Sequence, residues 1–325
     1  MHPFTSDSAA AVSALGEEKL IVAIRRWLGK ASPRAPFGIG DDCAVLPAIG
    51  GRPLITVDPV IFGRHFDADA APRAVGEKLL KRNLSDLAAM GGRPVAAVLA
   101  LTLDASVSQK WLEGFYRGLG ACARRYGVPI VGGDIAQAER VVVASLTLLG
   151  AAAARGGRVV TRTGARRGDW IYVTGVLGGS VAGGHHFTFK PRLAEGAWLA
   201  GRAEVRAMMD VSDGLAKDLR SLTPVGLAPA LEAAAIPRRR GATLAAAVAE
   251  GEDYELVFAV SREADRAEFE RAWRRVFRTR LTCIGRWVRA GERKPEWLDL
   301  EAYHGYEHLS GETAAAGGAE TRARR

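Results

Sequence analysis

Aspartate recurs in this chain where the backbone is extended and about to turn: GIGDD at 38–42, ITVD at 55–58, IVGGD at 130–134 and MDVSDG at 209–214. β-Branched or glycine-rich sequence leads into each, so these carboxylates can gather at the edge of a sheet. A fifth stretch, NLSD at 83–86, reads as helix, and Asn83 and Asp86 are three apart, side by side on one helical surface. Carboxylates brought within a few ångströms raise one another's pKa, so such a cluster needs counter-charge. An all-oxygen donor set without a supporting Cys or His pair favours Mg²⁺, which is commonly shared with substrate phosphates. Phosphoryl transfer asks a protein mainly for positioning and charge neutralisation, and this residue inventory suits it. No nucleophile with a partner base stands out, which favours direct transfer between bound substrates over a covalent enzyme intermediate.

The element that must carry Asp86 is a helix within 75–94, where Leu80, Leu84 and Leu87 form a buried stripe and Gly91, Gly92 and Pro94 supply a stop. Around it the periodicity predicts helices over 17–28 and 109–126, and strands over 53–62, 95–103, 128–131 and 141–149. The glycine- and arginine-rich stretch 150–168 reads as a connection between two domains. Beyond it come a strand over 170–174, a helix over 191–207, a short helix within 213–222, a strand over 254–260, a helix over 264–277 and a strand over 281–288. The loop GVLGGS at 175–180 is either a phosphate nest or a tight structural turn, since it has no Walker A sequence and no nearby lysine. His185 and His186 point away from each other on any regular element, which predicts a solvated pair and no metal site.

At 325 residues the chain has room for two domains, each with its own core. Its 48% hydrophobic and 25% charged residues are those of a soluble globular protein with disorder only at the ends. No apolar run approaches the roughly 20 residues that span a bilayer, and the N-terminus lacks a basic region followed by an apolar core. Cys43, Cys122 and Cys283 are far apart and without metal-ligand spacing, so the expected compartment is the reducing cytoplasm. The net charge of +9 is spread as arginine over many helices and does not form a nucleic-acid stripe; neither nucleic acid nor membrane is an expected partner.

Taken together, GIGDDCAVL (38–46), Asp58 with His65, NLSDLAAMG (83–91), GGD (132–134), RTGA (162–165), DVSDG (210–214) and GEDYEL (251–256) resemble the thiamine-monophosphate kinase family, in family order over most of the chain. The wider superfamily includes aminoimidazole ribonucleotide synthetase, selenophosphate synthetase and a hydrogenase maturation protein. The resemblance implies an α/β to α+β, two-domain aminoimidazole ribonucleotide synthetase-like architecture. An N-terminal ATP/Mg-binding domain (1–150) contributes its sheet to a homodimer interface, followed by a C-terminal domain (151–310) and a disordered tail (311–325). It implies ATP-dependent phosphorylation of thiamine monophosphate to thiamine diphosphate with several Mg²⁺ ions. By the same resemblance, Asp42, Thr56, Asp58, Asp86, Asp134, Asp210 and Asp213 fall on metal-ligand positions. Gly133, Asp134, Arg162 and Ser212 fall on nucleotide contacts, and His65, Glu252 and Tyr306 on acceptor contacts. A carboxylate at Glu252 is chemically apt, because it can pair with a cationic thiazolium or orient an aminopyrimidine.

Three departures bear on the site. Val57 stands where the family usually has a second Thr, Ile135-Ala136 replaces Thr-Thr after Gly-Gly-Asp, and the segment 184–191 is short on what should be the acceptor side. The alternative they leave open is a nucleotide-binding relative with an altered acceptor or a regulatory role.

Overall fold

Leu20, Ala23, Ile24, Trp27 and Leu28 recur every three or four residues and are the buried side of α1 (Glu17–Leu28). The computed structural model describes residues 1–35, 37–39, 43–292 and 294–307; Asp41, Asp42 and the expected 311–325 tail lie outside the described residues. Strand β1 (Pro53–Ile61) leads to α2 (Pro72–Ala89), which begins with proline at a position needing no N–H and runs directly into β2 (Gly92–Leu103). Thus Gly92 and Pro94, read as a helix stop, already belong to a strand. Helix α3 (Gln109–Tyr126) is capped by the Ser108 hydroxyl and closed by Gly127 in the left-handed region. Strands β3 (Ile130–Gln137) and β4 (Val142–Ala152) complete a sheet of order β1-β4-β2-β3, antiparallel except for the parallel β2–β3 pair. The strand expected over 128–131 therefore continues through the Gly-Gly-Asp sequence.

The second sheet holds β5 (Trp170–Thr174), β6 (Val205–Val211), β7 (Leu227–Leu231), β8 (Glu255–Val260) and β9 (Leu281–Arg289) in the order β6-β8-β5-β9-β7, antiparallel throughout. Every residue of β8 is buried, as expected of an interior strand covered on both faces. Helices α4 (His185–Thr188), α5 (Leu193–Ala200), α6 (Leu215–Leu222), α7 (Leu244–Ala249) and α8 (Arg266–Val276) fall between these strands in the chain. The helix expected over 191–207 is corrected. It ends at Ala200, and residues 205–211 pair with the apolar β8 because Val205, Ala207, Met208 and Met209 gain more from burial in the sheet. Strand β7 and helix α7 were not legible in the sequence. A mixed first sheet and an antiparallel second sheet, both with helices, make an α/β to α+β architecture.

Helix α2 lies where the two sheets meet, against β1, β2 and β4 on one side and β6, β8, α4 and α5 on the other. Glycine allows its close packing. A Cβ on Gly118 of α3 would lie 2.0 Å from the Arg73 carbonyl oxygen, and one on Gly76 of α2 would lie 2.1 Å from that of Phe115. Gly118→Ala should therefore force the two helices apart and destabilise the chain by about 1–3 kcal/mol. Denaturant unfolding checks this, and an unchanged midpoint would contradict it.

Candidate active site

Side chains alternate along β1, so exposed Ile55 and Val57 share one face while Thr56 and Asp58 point to the other, toward α2. The Thr56 hydroxyl donates to Asp86 Oδ2 at 2.5 Å. Val57 thus projects away from Asp58, and the substitution expected beside the metal shell lies on the opposite face of the sheet. One turn before Asp86, Arg82 donates to the Pro59 carbonyl at 2.6 Å and to Asp58 Oδ1 at 3.3 Å. Asn83 does not join Asp86. Its buried amide donates to Leu79 O at 2.9 Å and lies 3.5 Å from Asp58 O, tying β1 to the helix.

The second sheet supplies the facing residues. Asp210, buried near the end of β6, accepts the Ser85 hydroxyl of α2 at 2.7 Å. The turn carrying Ser212 and Asp213 is held by Asp218, whose carboxylate accepts both backbone N–H groups at 3.0 and 3.1 Å. Glu252 and Tyr254 have left-handed backbones, φ 65° and 54°, conformations that cost about 1–3 kcal/mol for residues with a Cβ. Bonds from their N–H groups to Ser212 O (2.7 Å) and Val211 O (2.8 Å) impose them, as does the ion pair between Glu252 and Lys78 of α2 at 2.5 Å. The Tyr306 N–H donates to Asp213 O at 2.8 Å, and the Arg64 guanidinium lies 4.5 Å from the Tyr306 ring centre. His65 Nδ1 accepts the Ile61 N–H at 3.1 Å, which places the imidazole proton of the neutral ring on Nε2.

Asp58, Asp86, Asp210, Ser212, Asp213, His65, Glu252 and Tyr306 line one cavity of about 710 Å³ between the sheets. Burial pushes the Asp58 carboxyl up to about 6, opposed by Arg82 and reinforced by Asp86, Asp213 and Glu252. Burial likewise raises Asp86, opposed by the Thr56 hydrogen bond, and holds Asp210 well above the usual carboxylate range with help from the Asp86 charge. Among the described residues no group of three His, Cys, Asp or Glu forms a ready metal cage. Mg²⁺ commonly takes one or two carboxylates and completes its shell with water and phosphate, so crowded, under-compensated oxygen donors fit that ion shared with a substrate.

Three expected nucleotide contacts do not line that cavity. Gly133 and Asp134 are exposed on β3, and Asp134 pairs with Ala100 in a row that shares the Val57 and Val98 face. They open onto a second cavity of about 190 Å³ beneath α1, with Ile21, Ile24, Leu28 and Ile135 among its walls. Arg162 is exposed, within electrostatic range of Asp86 and Asp218. The glycine loop after β5 is a structural turn: Gly178 N–H donates to Asp253 and Gly179 N–H to Glu250, both at 2.8 Å, so these donors are already spent on carboxylates. His186 is corrected too, being buried at the cavity wall with Nδ1 3.1 Å from Ser180 O. Sequence reasoning missed Lys78, Arg82 and Arg64. A basic residue in a helix reads as solvated, and Lys78, 1% exposed, is an interior residue whose ammonium meets the His65 carbonyl, Glu252 from the loop before β8 and the Phe187 ring of α4.

The family described as AIR synthase related protein, N-terminal domain, matches residues 40–152. The thiamine-monophosphate kinase of Salmonella typhimurium is 36% identical over 302 residues, covering 84% of this chain and 90% of that protein. The chain belongs to the thiamine-monophosphate kinase family. Its Escherichia coli member is 33% identical over 91% of this chain and 99% of its own length. Among solved members, the enzyme of Stenotrophomonas maltophilia superposes with a TM-score of 0.70 at 28% identity over 82% of this chain and 94% of that one. The structure of AaThiL complexed with AMPPCP and TMP gives 0.63 at 28% identity over 92% and 98%.

In this family member the raised Asp58 carboxyl sets a pH-dependent cost. A group that holds its proton more tightly when folded contributes stability that is complete below its ordinary value near 3.8 and lost as pH rises through about 6. Asp58→Asn keeps the neutral form at all pH. Without divalent metal it should melt above wild type at pH 8, by on the order of 1–2 kcal/mol after allowance for solvent screening, and match it near pH 4. Parallel melting curves across that range test this; a constant offset would refute the assignment.

Proposed function

We propose that this chain transfers the γ-phosphoryl group of ATP to the phosphate of thiamine monophosphate. The observation that carries this reading is the single cavity joining the carboxylates Asp58, Asp86, Asp210 and Asp213 to His65, Glu252 and Tyr306. The family relationship supports the same reaction. An acceptor phosphate oxygen attacks the γ-phosphorus, a new P–O–P bond forms, the β–γ bridging bond breaks, and ADP leaves with thiamine diphosphate as the other product. Asp58, Asp86, Asp210 and Asp213, with Thr56 and by resemblance Asp42, would hold Mg²⁺, which supplies charge neutralisation for the phosphates, whereas Asp134, on the other face of the first sheet, goes with the small cavity under α1. Glu252 is already paired with Lys78, so its part is to orient the aminopyrimidine through its other oxygen, not to serve as an unscreened counter-ion to the thiazolium. Tyr306 and His65 border the acceptor, and the short 184–191 segment contributes His186 and Phe187 to the same wall. Gly133, Ser212, Arg162 and the small cavity under α1 are assigned to the nucleotide.

A coupled assay for ADP release with ATP, Mg²⁺ and thiamine monophosphate tests the reaction. Asp86→Asn should lose activity by about a hundredfold or more while its melting temperature stays within a few degrees, because the amide keeps the shape and loses the charge. Full activity in that variant removes Asp86 from the site. Metal-dependent ATP binding with no transfer by wild type would make the chain a nucleotide-binding relative instead.

A homodimer through the first sheet belongs to this proposal, supported by Ile55, Val57 and Val98, exposed at 73%, 60% and 39% on one face. Ile55→Lys should shift the sedimenting species from dimer to monomer. A monomeric wild type would rule this interface out. Among the described residues no helix is long and apolar enough to cross a membrane, and the three thiols are free, in keeping with the proposed cytoplasmic location.

A further inference from the structure

Six carboxylates line the large cavity: Asp58, Asp67, Asp86, Asp210, Asp213 and Glu252. Glu252 and Asp213 are paired with Lys78 and Lys217, and the metal-side carboxylates would face Mg²⁺, yet a phosphate monoester on the acceptor side still needs a fixed cation to offset the negative charge that remains. Two lining residues carry permanent positive charge, Arg64 and Arg82. Arg64 is exposed and rests on the Tyr306 ring, whereas Arg82 is held inside, with a side chain only 12% exposed.

Position decides between them. On α2, Arg82 lies one turn after Lys78, which binds Glu252, and one turn before Asp86, and it reaches Asp58 at 3.3 Å. It therefore occupies the junction between the residues assigned to the thiamine rings and those assigned to metal. An acceptor oriented by Glu252 must send its phosphate across that junction to reach the donor. The guanidinium is also prepared for an oxyanion. The Pro59 carbonyl fixes it at 2.6 Å, its contact with Asp58 is a single long one at 3.3 Å, and its buried Nε has no hydrogen-bond partner. Of five N–H donors these contacts use two, and a planar fork suits phosphate oxygens.

We propose that Arg82 binds the phosphate group of the acceptor and holds the attacking oxygen, making it a further substrate-contacting residue of this reaction. This rests on the kinase reading above. The interaction is a charge-assisted hydrogen bond to a group that thiamine monophosphate has and thiamine lacks.

Calorimetric titration of the full chain, in Mg²⁺ and without nucleotide, compares those two ligands. Wild type should bind thiamine monophosphate more tightly than thiamine, and Arg82→Gln should abolish that preference, weakening thiamine monophosphate by about ten- to a hundredfold while leaving thiamine unchanged. Arg82→Lys, which keeps the charge without the fork, should fall between the two and serves as the test if the glutamine variant does not fold. Equal weakening of both ligands would overturn the proposal and make Arg82 a support for Asp58. A wild type without preference for the phosphorylated ligand would overturn it too. Because no ATP is present, this result is independent of turnover: failure of wild type to release ADP would sink the kinase reading, while loss of the ligand contrast would sink the role of Arg82.

Discussion

A helix buried between two sheets has to account for every charge it carries, and α2 carries several. Lys78 is nearly inaccessible and meets Glu252 from the second half; Arg82 meets Asp58 and the Pro59 carbonyl of β1; Ser85 meets Asp210 of β6. Removing the Glu252 carboxylate would leave Lys78 uncompensated in the interior, a loss that typically costs about 3–5 kcal/mol. The same bonds that neutralise α2 therefore fix the second sheet against the first. They also place Asp58, Asp86, Asp210 and Glu252 around one cavity. The contacts that join the two halves are the contacts that shape the site.

The site is costly for the fold. Asp58, Asp86 and Asp210 are all pushed upward, chiefly by burial, and Glu252 and Tyr254 sit in backbone conformations that favour glycine. Such features persist only where surrounding bonds over-determine them. Here the N–H bonds of Glu252 and Tyr254 to the strand and turn around Asp210 do so. Carboxylates left short of counter-charge are suited to taking up a cation together with a phosphate, which is the exchange the proposed chemistry requires.

Close packing supplies the rest of the precision. Gly76 and Gly118 let α2 and α3 approach until backbone meets backbone, and Gly196 does the same between α5 and α2, where a Cβ would lie 2.0 Å from the Ala88 carbonyl oxygen. Helix α2 is thus fixed from both sides. Its side chains reach the cavity from a rigid element, which is how a site holds its geometry.

Local pattern was enough to read α1, α2 and α3, strands β1, β5, β8 and β9, and the aspartates as a set, because periodicity and turn chemistry are properties of neighbours along the chain. It failed where distant partners choose the structure. Residues 205–211 became a strand only because apolar β8 was there to pair with, and the GVLGGS loop became a plain turn only because Asp253 and Glu250 reached its N–H groups. Asp134 was expected among the other carboxylates, yet β3 continues through Gly-Gly-Asp and register turns it to the opposite face. Residue types alone determined that this chain carries oxygen donors for a hard cation and the motifs of one kinase family. The tertiary structure alone decided which of those donors share a cavity, and that Lys78 and Arg82 are interior cations, because a charge becomes buried only when a second, distant surface closes over it.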